Sequence, residues 1–189
     1  MDFTAYGIFW SAGEFGGAGS TADWNEFGVG LNFDLTPNLS INPQIGLTSG
    51  SLLYNAGGGP TELNDGVVPN ITVNYDSAKW EGQIYSGLYL PLRDPSFGVN
   101  ELEFMHSWIN FGYKFNDLFS FGAHVEHLSG GADGATTNSV YTWVGPYIQF
   151  RNEEKGIFAR LAGGWALESF GVGAQEEDTF YKASAGFSF

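Results

Sequence analysis

The feature that most constrains this chain is a two-residue rhythm that keeps its charges on one side. Residues 178–189 display it: Tyr181, Ala183, Ala185, Phe187 and Phe189 alternate with Lys182, Ser184, Gly186 and Ser188. Successive side chains of a strand point to opposite faces, so this stretch reads as a strand with one apolar and one small or polar face. The rhythm recurs throughout. Phe27, Val29, Leu31 and Phe33 oppose Glu26, Gly28, Gly30, Asn32 and Asp34, and Leu39, Ile41, Pro43, Ile45 and Leu47 oppose Ser40, Asn42, Gln44 and Gly46. Further strands follow at Ile71–Tyr75, Trp80–Leu90, Met105–Phe115, Phe119–Val125, Val140–Phe150 and Ile157–Trp165. Near the start, Thr4, Tyr6, Ile8 and Trp10 form one face, with Ala5, Gly7 and Phe9 opposite. No Asp, Glu, Lys or Arg falls on the apolar face of these segments, and His127 is the one ionisable residue there.

The connections alternate too. Long, Gly-rich or acidic loops (11–23, 49–69, 91–103, 129–139, 167–177) alternate with tight turns at Pro37-Asn38, Asp76-Ser77, Asn116-Asp117 and 151–155. The 28 glycines and 17% aromatic share fit an all-β chain. Ten strands ending in an aromatic one, with loops alternately long and short, resemble the outer-membrane β-barrel proteins of Gram-negative bacteria, porin-like in type. The resemblance implies a single domain over residues 1–189, an up-and-down antiparallel transmembrane barrel of about 10 strands. Short turns would then face the periplasm and long loops the outside, with both chain ends periplasmic. It also implies an integral outer-membrane location, and lipids or lipopolysaccharide as neighbours.

Composition narrows the alternatives. No apolar run approaches the roughly 20 residues of a membrane helix. A net charge of −14 repels nucleic acid. Cysteine is absent, so disulfide and thiolate chemistry are excluded. Met1-Asp2-Phe3 leads directly into a strand, which reads as a mature chain with an added initiator Met. A soluble barrel, its apolar face turned inward as in lipocalins, is the competing fold. It would expose Gly, Asn, Ser and Thr on its outer strand faces and needs more than the seven Lys and Arg present here. Pro43 and Pro146 cannot donate to a ladder, so bulges or an unpaired position are expected there.

The polar faces carry the functional candidates. Glu26, Asn32, Gln44, Glu81, Gln83, Tyr85, Trp108, Asn110, Lys114, His124, Glu126, Tyr147, Arg160 and Lys182 are the expected lining of the lumen. Hairpin geometry places Trp108 opposite Glu126, Asn110 opposite His124, Lys114 opposite Ser120 and His106 opposite Leu128. Two functions suit such an interior: a narrow porin-like channel for small solutes or ions, and a structural or adhesive barrel closed by charge pairing. The aromatics Tyr85, Tyr89, Trp108, Tyr141, Trp143, Tyr147 and Phe158 also point inward and keep any path narrow. His106, His124 and Glu126 are too far apart in register for a metal centre, so histidines held by hydrogen bonds are expected, with no cofactor. His127-Leu128-Ser129 is similar to the His-x-Ser motif of outer-membrane lipid A deacylases, a resemblance that would make Ser129 the nucleophile and His127 its base. Gly130 replaces the Asn of that motif, and residues 140–150 hold no acid to orient the histidine, so no deacylation is expected. The Asp-x-Asp and Asp-x-His pairs of omptin proteases are missing. Loop acids Glu14, Asp23, Glu62, Asp65, Asp94, Glu101, Glu103, Asp133, Glu168, Glu176 and Glu177 offer a rim for divalent cations bridging to lipopolysaccharide phosphates.

Overall fold

Alternating apolar and polar side chains make strands, and tight turns fold each strand back on its predecessor. A computed structural model describes residues 1–10, 24–50, 52–53, 64–92, 101–152, 154–169 and 179–187. The strands are β1 (Asp2–Trp10), β2 (Trp24–Thr36), β3 (Leu39–Gly50), β4 (Gly66–Asp76), β5 (Trp80–Pro91), β6 (Glu103–Lys114), β7 (Phe119–Gly131), β8 (Ser139–Asn152), β9 (Ile157–Ser169) and β10 (Thr179–Phe187). They form one antiparallel ten-stranded sheet in sequence order, and no β1–β10 ladder occurs among the described residues. There are no helices among them, hence none long and apolar enough to cross a membrane.

The sheet is curled. Its concave face carries the polar residues and its convex face the apolar ones. In a flat sheet β6 and β10 would lie four strand spacings apart, about 19 Å. Here Lys182 of β10 places its ammonium 4.4 Å from the centre of the Trp108 ring on β6. Arg160 of β9 likewise donates to Gln83 of β5 at 3.3 Å. Side chains that stand perpendicular to the sheet meet across such spans only when it rolls up.

The hairpin registers match the sequence expectation: Trp108 pairs with Glu126, Asn110 with His124, Lys114 with Ser120 and His106 with Leu128. Several strands run further than their patterns indicated, because loop-end residues without the two-residue rhythm still pair. β4 takes in Gly66 to Asn70, β7 reaches Gly131, and β9 reaches Ser169. In β1, Thr4, Tyr6 and Ile8 face the concave side, where Thr4 donates to Asn42 at 3.1 Å and Tyr6 finds a carboxylate. Phe3 and Phe9 take the convex side, 71% and 76% exposed. The prolines interrupt ladders without adding a residue. Pro43 pairs with Ile71, yet the β2–β3 ladder passes from Gly30↔Gln44 to Phe33↔Ile41. Pro146 pairs with Ala123, yet β8–β9 passes from Val144↔Trp165 to Tyr147↔Ala162. Pro69 does the same between β4 and β5. Bulges fall elsewhere, at Asp34/Thr36, Leu128/Ser129 and Thr142/Trp143. A missing N–H empties the ladder only on the side it would have faced.

Of the loop acids, Glu14, Asp23, Glu62, Asp94, Glu176 and Glu177 lie outside the described residues, as do the side chain of Glu168 and the terminal Phe189. Asp65 is buried rather than displayed at a rim, whereas Glu101 and Asp133 are exposed.

Candidate functional site

Three carboxylates stand on the concave face with almost no access to solvent: Glu26 at 0%, Glu81 at 4% and Glu126 at 0% exposure. A buried charge is costly unless paired and hydrogen-bonded, so the surrounding donors decide what each can do. Each organises its own part of the face.

Glu126, on β7, is the most heavily ligated. Lys182 donates to its Oε2 at 2.5 Å, Tyr141 donates to Oε1 at 3.0 Å, and His106 and His124 approach at 2.8 and 3.1 Å. His124 is held on its other side by Asn110 at 2.7 Å. Both histidines meet Glu126 within one hairpin, His124 two positions away on its own strand and His106 diagonally across the β6–β7 ladder. Their shared carboxylate is already occupied by an ammonium, and no group of three His, Asp or Glu suited to a metal occurs among the described residues. Aromatic rings enclose the cluster: Tyr85 stacks on Trp108 at 3.7 Å, and Trp143 lies stacked between Tyr141 at 3.9 Å and Phe180 at 5.1 Å.

Glu81, near the turn end of β5, accepts hydrogen bonds from Ser120 (2.6 Å), Gln149 (2.7 Å) and Tyr147 (2.9 Å), with the Arg151 guanidinium at 3.9 Å. Arg151 and Lys114 both pair with Asp76. Arg160 links this group to the middle of the face. It donates to Gln149 at 2.9 Å and to Gln83, and lies over the Tyr147 ring at 5.1 Å. Gln83 also accepts from Trp108 at 3.2 Å. Glu26, on β2, takes hydrogen bonds from Tyr6 and, at 2.6 Å, from Tyr89. Gly28 and Gly46 leave the space that Tyr6 fills, since a Cβ on either would meet its ring or hydroxyl.

At the loop end the concave face turns apolar. Trp24, Leu52, Leu53, Val68, Tyr89, Phe104 and Leu128 form one buried cluster. Leu53 comes from the β3–β4 connection, and its carbonyl accepts the Leu102 N–H at 2.9 Å from the connection preceding β6. Two connections are thus tied together over that end of the face.

All fourteen residues expected to line the interior lie on the concave side, but in different company. Glu126, His124, Asn110, Lys182 and Trp108 come together; so do Glu81 and Tyr147, and Gln83 and Arg160. Gln44 joins Thr4 and Thr72 in a neutral run, while Asn32 reaches only Asp34 at the exposed turn end. Tyr85 lies beside Glu26 and Tyr89. The sequence reading did not single out Tyr6, Gln149, Asp76 or Leu53. Face parity marks Gln149, but no periodicity marks Leu53. On the convex side, His127 is hydrogen-bonded to Thr142 at 2.9 Å. The Ser129 hydroxyl donates to the Ala135 carbonyl at 3.0 Å. The two side chains have separate partners and form no catalytic dyad.

The chain belongs to DUF6733, a family of unknown function whose model matches residues 1–189. No curated protein matches it, and no solved structure does.

Proposed function

We propose that this member of the DUF6733 family is an outer-membrane β-barrel, closed through β1 and β10, whose lumen is filled by its own side chains. The observation that carries the reading is the division of the two faces. Charges gather in paired networks on the concave side, while the convex side exposes Ile45, Ile84, Ile109, Val125, Ile148 and Leu161, each by more than a third. Water makes such a surface unfavourable and lipid does not.

Aromatic bands support the same placement. Trp80, Phe111, Tyr113, Phe119 and Phe121 gather toward the tight turns, and Phe9, Phe27, Trp165 and Tyr181 toward the long connections. From Phe119 to His127 the strand rises about 27 Å, or roughly 20 Å along the normal at the usual barrel tilt. Strands of 9 to 14 residues are long enough to span that layer. The even strand number returns both chain ends to the turn side, which becomes the periplasmic side.

Charge pairing and the Leu53 cluster favour the closed barrel over the open one. A narrow porin-like channel is the second reading, favoured by the neutral polar wall of Asn32, Gln44, Thr72 and Asn74, which is only half-buried. Lipopolysaccharide is the expected neighbour in either case, with divalent cations at exposed loop acids.

The deciding experiment refolds the protein in detergent and reconstitutes it in planar bilayers. Heat-modifiable gel migration and β-rich circular dichroism only in micelles are expected, with no conductance steps. A chain folded and monomeric without detergent overturns the membrane reading. Small cation-preferring steps, weakened by Glu81→Gln or Glu126→Gln, overturn the closed lumen and establish the channel.

A further inference from the structure

Of the three carboxylates buried on the concave face, Glu26 is the one with no cation against it among the described residues. Glu126 has Lys182 and Glu81 has Arg151, whereas Glu26 meets only the hydroxyls of Tyr6 and Tyr89. Among the described residues, one neighbouring oxygen is buried with no hydrogen-bond partner: Oδ1 of Asn70, in a residue 7% exposed. The Tyr85 hydroxyl, in a residue 3% exposed, has only the Tyr89 hydroxyl beside it.

These groups share one place. The Asn70 amide nitrogen donates to the Tyr6 hydroxyl that serves Glu26, and to the Val68 carbonyl at 3.2 Å. Tyr85 and Asn70 flank Gly87, where an added Cβ would fall against the Tyr85 hydroxyl and 3.2 Å from Asn70 Cβ. Gly46 lies under the carboxylate, its would-be Cβ 2.7 Å from Glu26 Oε1. Bare glycines at both ends let the oxygens come down onto the sheet.

We propose that Glu26, Asn70 and Tyr85, with the phenol oxygens of Tyr6 and Tyr89, form a binding site for one dehydrated monovalent cation of the Na⁺ or K⁺ class. Every donor is a hard oxygen, the ligand type of alkali and alkaline-earth ions rather than of zinc or copper. The site carries one negative charge. A monovalent ion neutralises it, whereas a divalent ion leaves a net buried charge in place of the one removed. The face immediately on the turn side of the site is polar but uncharged. Thr4, Asn42, Gln44 and Thr72 form a hydrogen-bonded run of neutral oxygens and amides there. The inference rests on the concave face alone, so it stands or falls independently of barrel closure and membrane placement.

The test is thermal unfolding of the refolded protein in NaCl, KCl and choline chloride at equal ionic strength. Na⁺ or K⁺ is expected to raise Tm by roughly 5 °C over choline, saturably with concentration. Glu26→Gln removes that difference. Tyr85→Phe, which leaves both hydrogen bonds to Glu26 intact, raises the half-saturating concentration several-fold without lowering Tm in choline. Because Tyr85→Phe keeps the ring and both hydrogen bonds to Glu26, it keeps the test usable should Glu26→Gln fail to fold. Equal melting in all three salts, or an unchanged half-saturating concentration in Tyr85→Phe, overturns the proposal. With Glu26→Gln at least as stable as the native chain, a proton rather than a metal cation neutralises the site.

Discussion

Glu126 shows how much one residue can hold. Lys182, Tyr141, His106 and His124 converge on it from three other strands and its own. Removing one partner of a buried pair typically costs about 3–5 kcal/mol, because the other is left uncompensated. Glu126→Gln is expected to fall in that range by urea unfolding in lipid vesicles. Adding Lys182→Met should recover part of the loss, so the double variant costs less than the two single ones summed. The sequence revealed half of this arrangement. The pairs Trp108–Glu126 and Asn110–His124 follow from the turn at Asn116-Asp117, because a hairpin fixes its own register. The bond from Lys182 to Glu126 does not, because it depends on how tightly intervening strands roll. The solitary state of Glu26 was hidden for the same reason: which cations reach it is a property of the curl.

For the strands as units, alternation and turn chemistry located all ten, and their ends were the least legible part. Loop-end residues pair although they lack an apolar rhythm, so β4, β7 and β9 extend beyond their patterns. The orientation of β1 turned on Tyr6, an aromatic equally suited to either face until its hydroxyl meets Glu26. The prolines were visible in sequence, but whether they bulge or merely leave a gap depends on which neighbour their nitrogen faces. Pro146 empties the β8–β9 ladder at Gly163 and Gly164 while remaining paired with Ala123. Both glycines stay paired with β10, so of their two amides the one that faces β8 should exchange at least about tenfold faster than Leu161 or Trp165, the equivalent of roughly 1.4 kcal/mol in local opening. Hydrogen-exchange NMR in micelles reads this directly; uniform protection along β9 would contradict it.

Across the whole molecule, the apolar convex face sets the solvent in which the protein is stable. Ile109, 50% exposed at mid-strand, is the place to ask. In lipid, Ile109→Lys is expected to cost about 2–4 kcal/mol by vesicle unfolding. In water, an exposed Ile-to-Lys change stays within about 0.5 kcal/mol. The two outcomes separate a membrane protein from a soluble one without any knowledge of its cargo.

The roll of the sheet also has a consequence in time. Every ladder among the described residues joins strands adjacent in sequence, whereas concave bonds join residues 56, 68 and 77 positions apart, as in Lys182–Glu126, Gln149–Glu81 and Arg160–Gln83. Closing such long loops is entropically slow, so hairpins are expected to assemble first and the interior bonds to form after the transition state for folding has passed. Interactions that form late govern the escape rate rather than the arrival rate. Glu126→Gln should then speed unfolding by two orders of magnitude or more, by about the whole of its equilibrium cost, and leave refolding nearly unchanged. The buried carboxylates would act as a brake on leaving the native state, giving the fold a persistence that equilibrium stability alone would not describe.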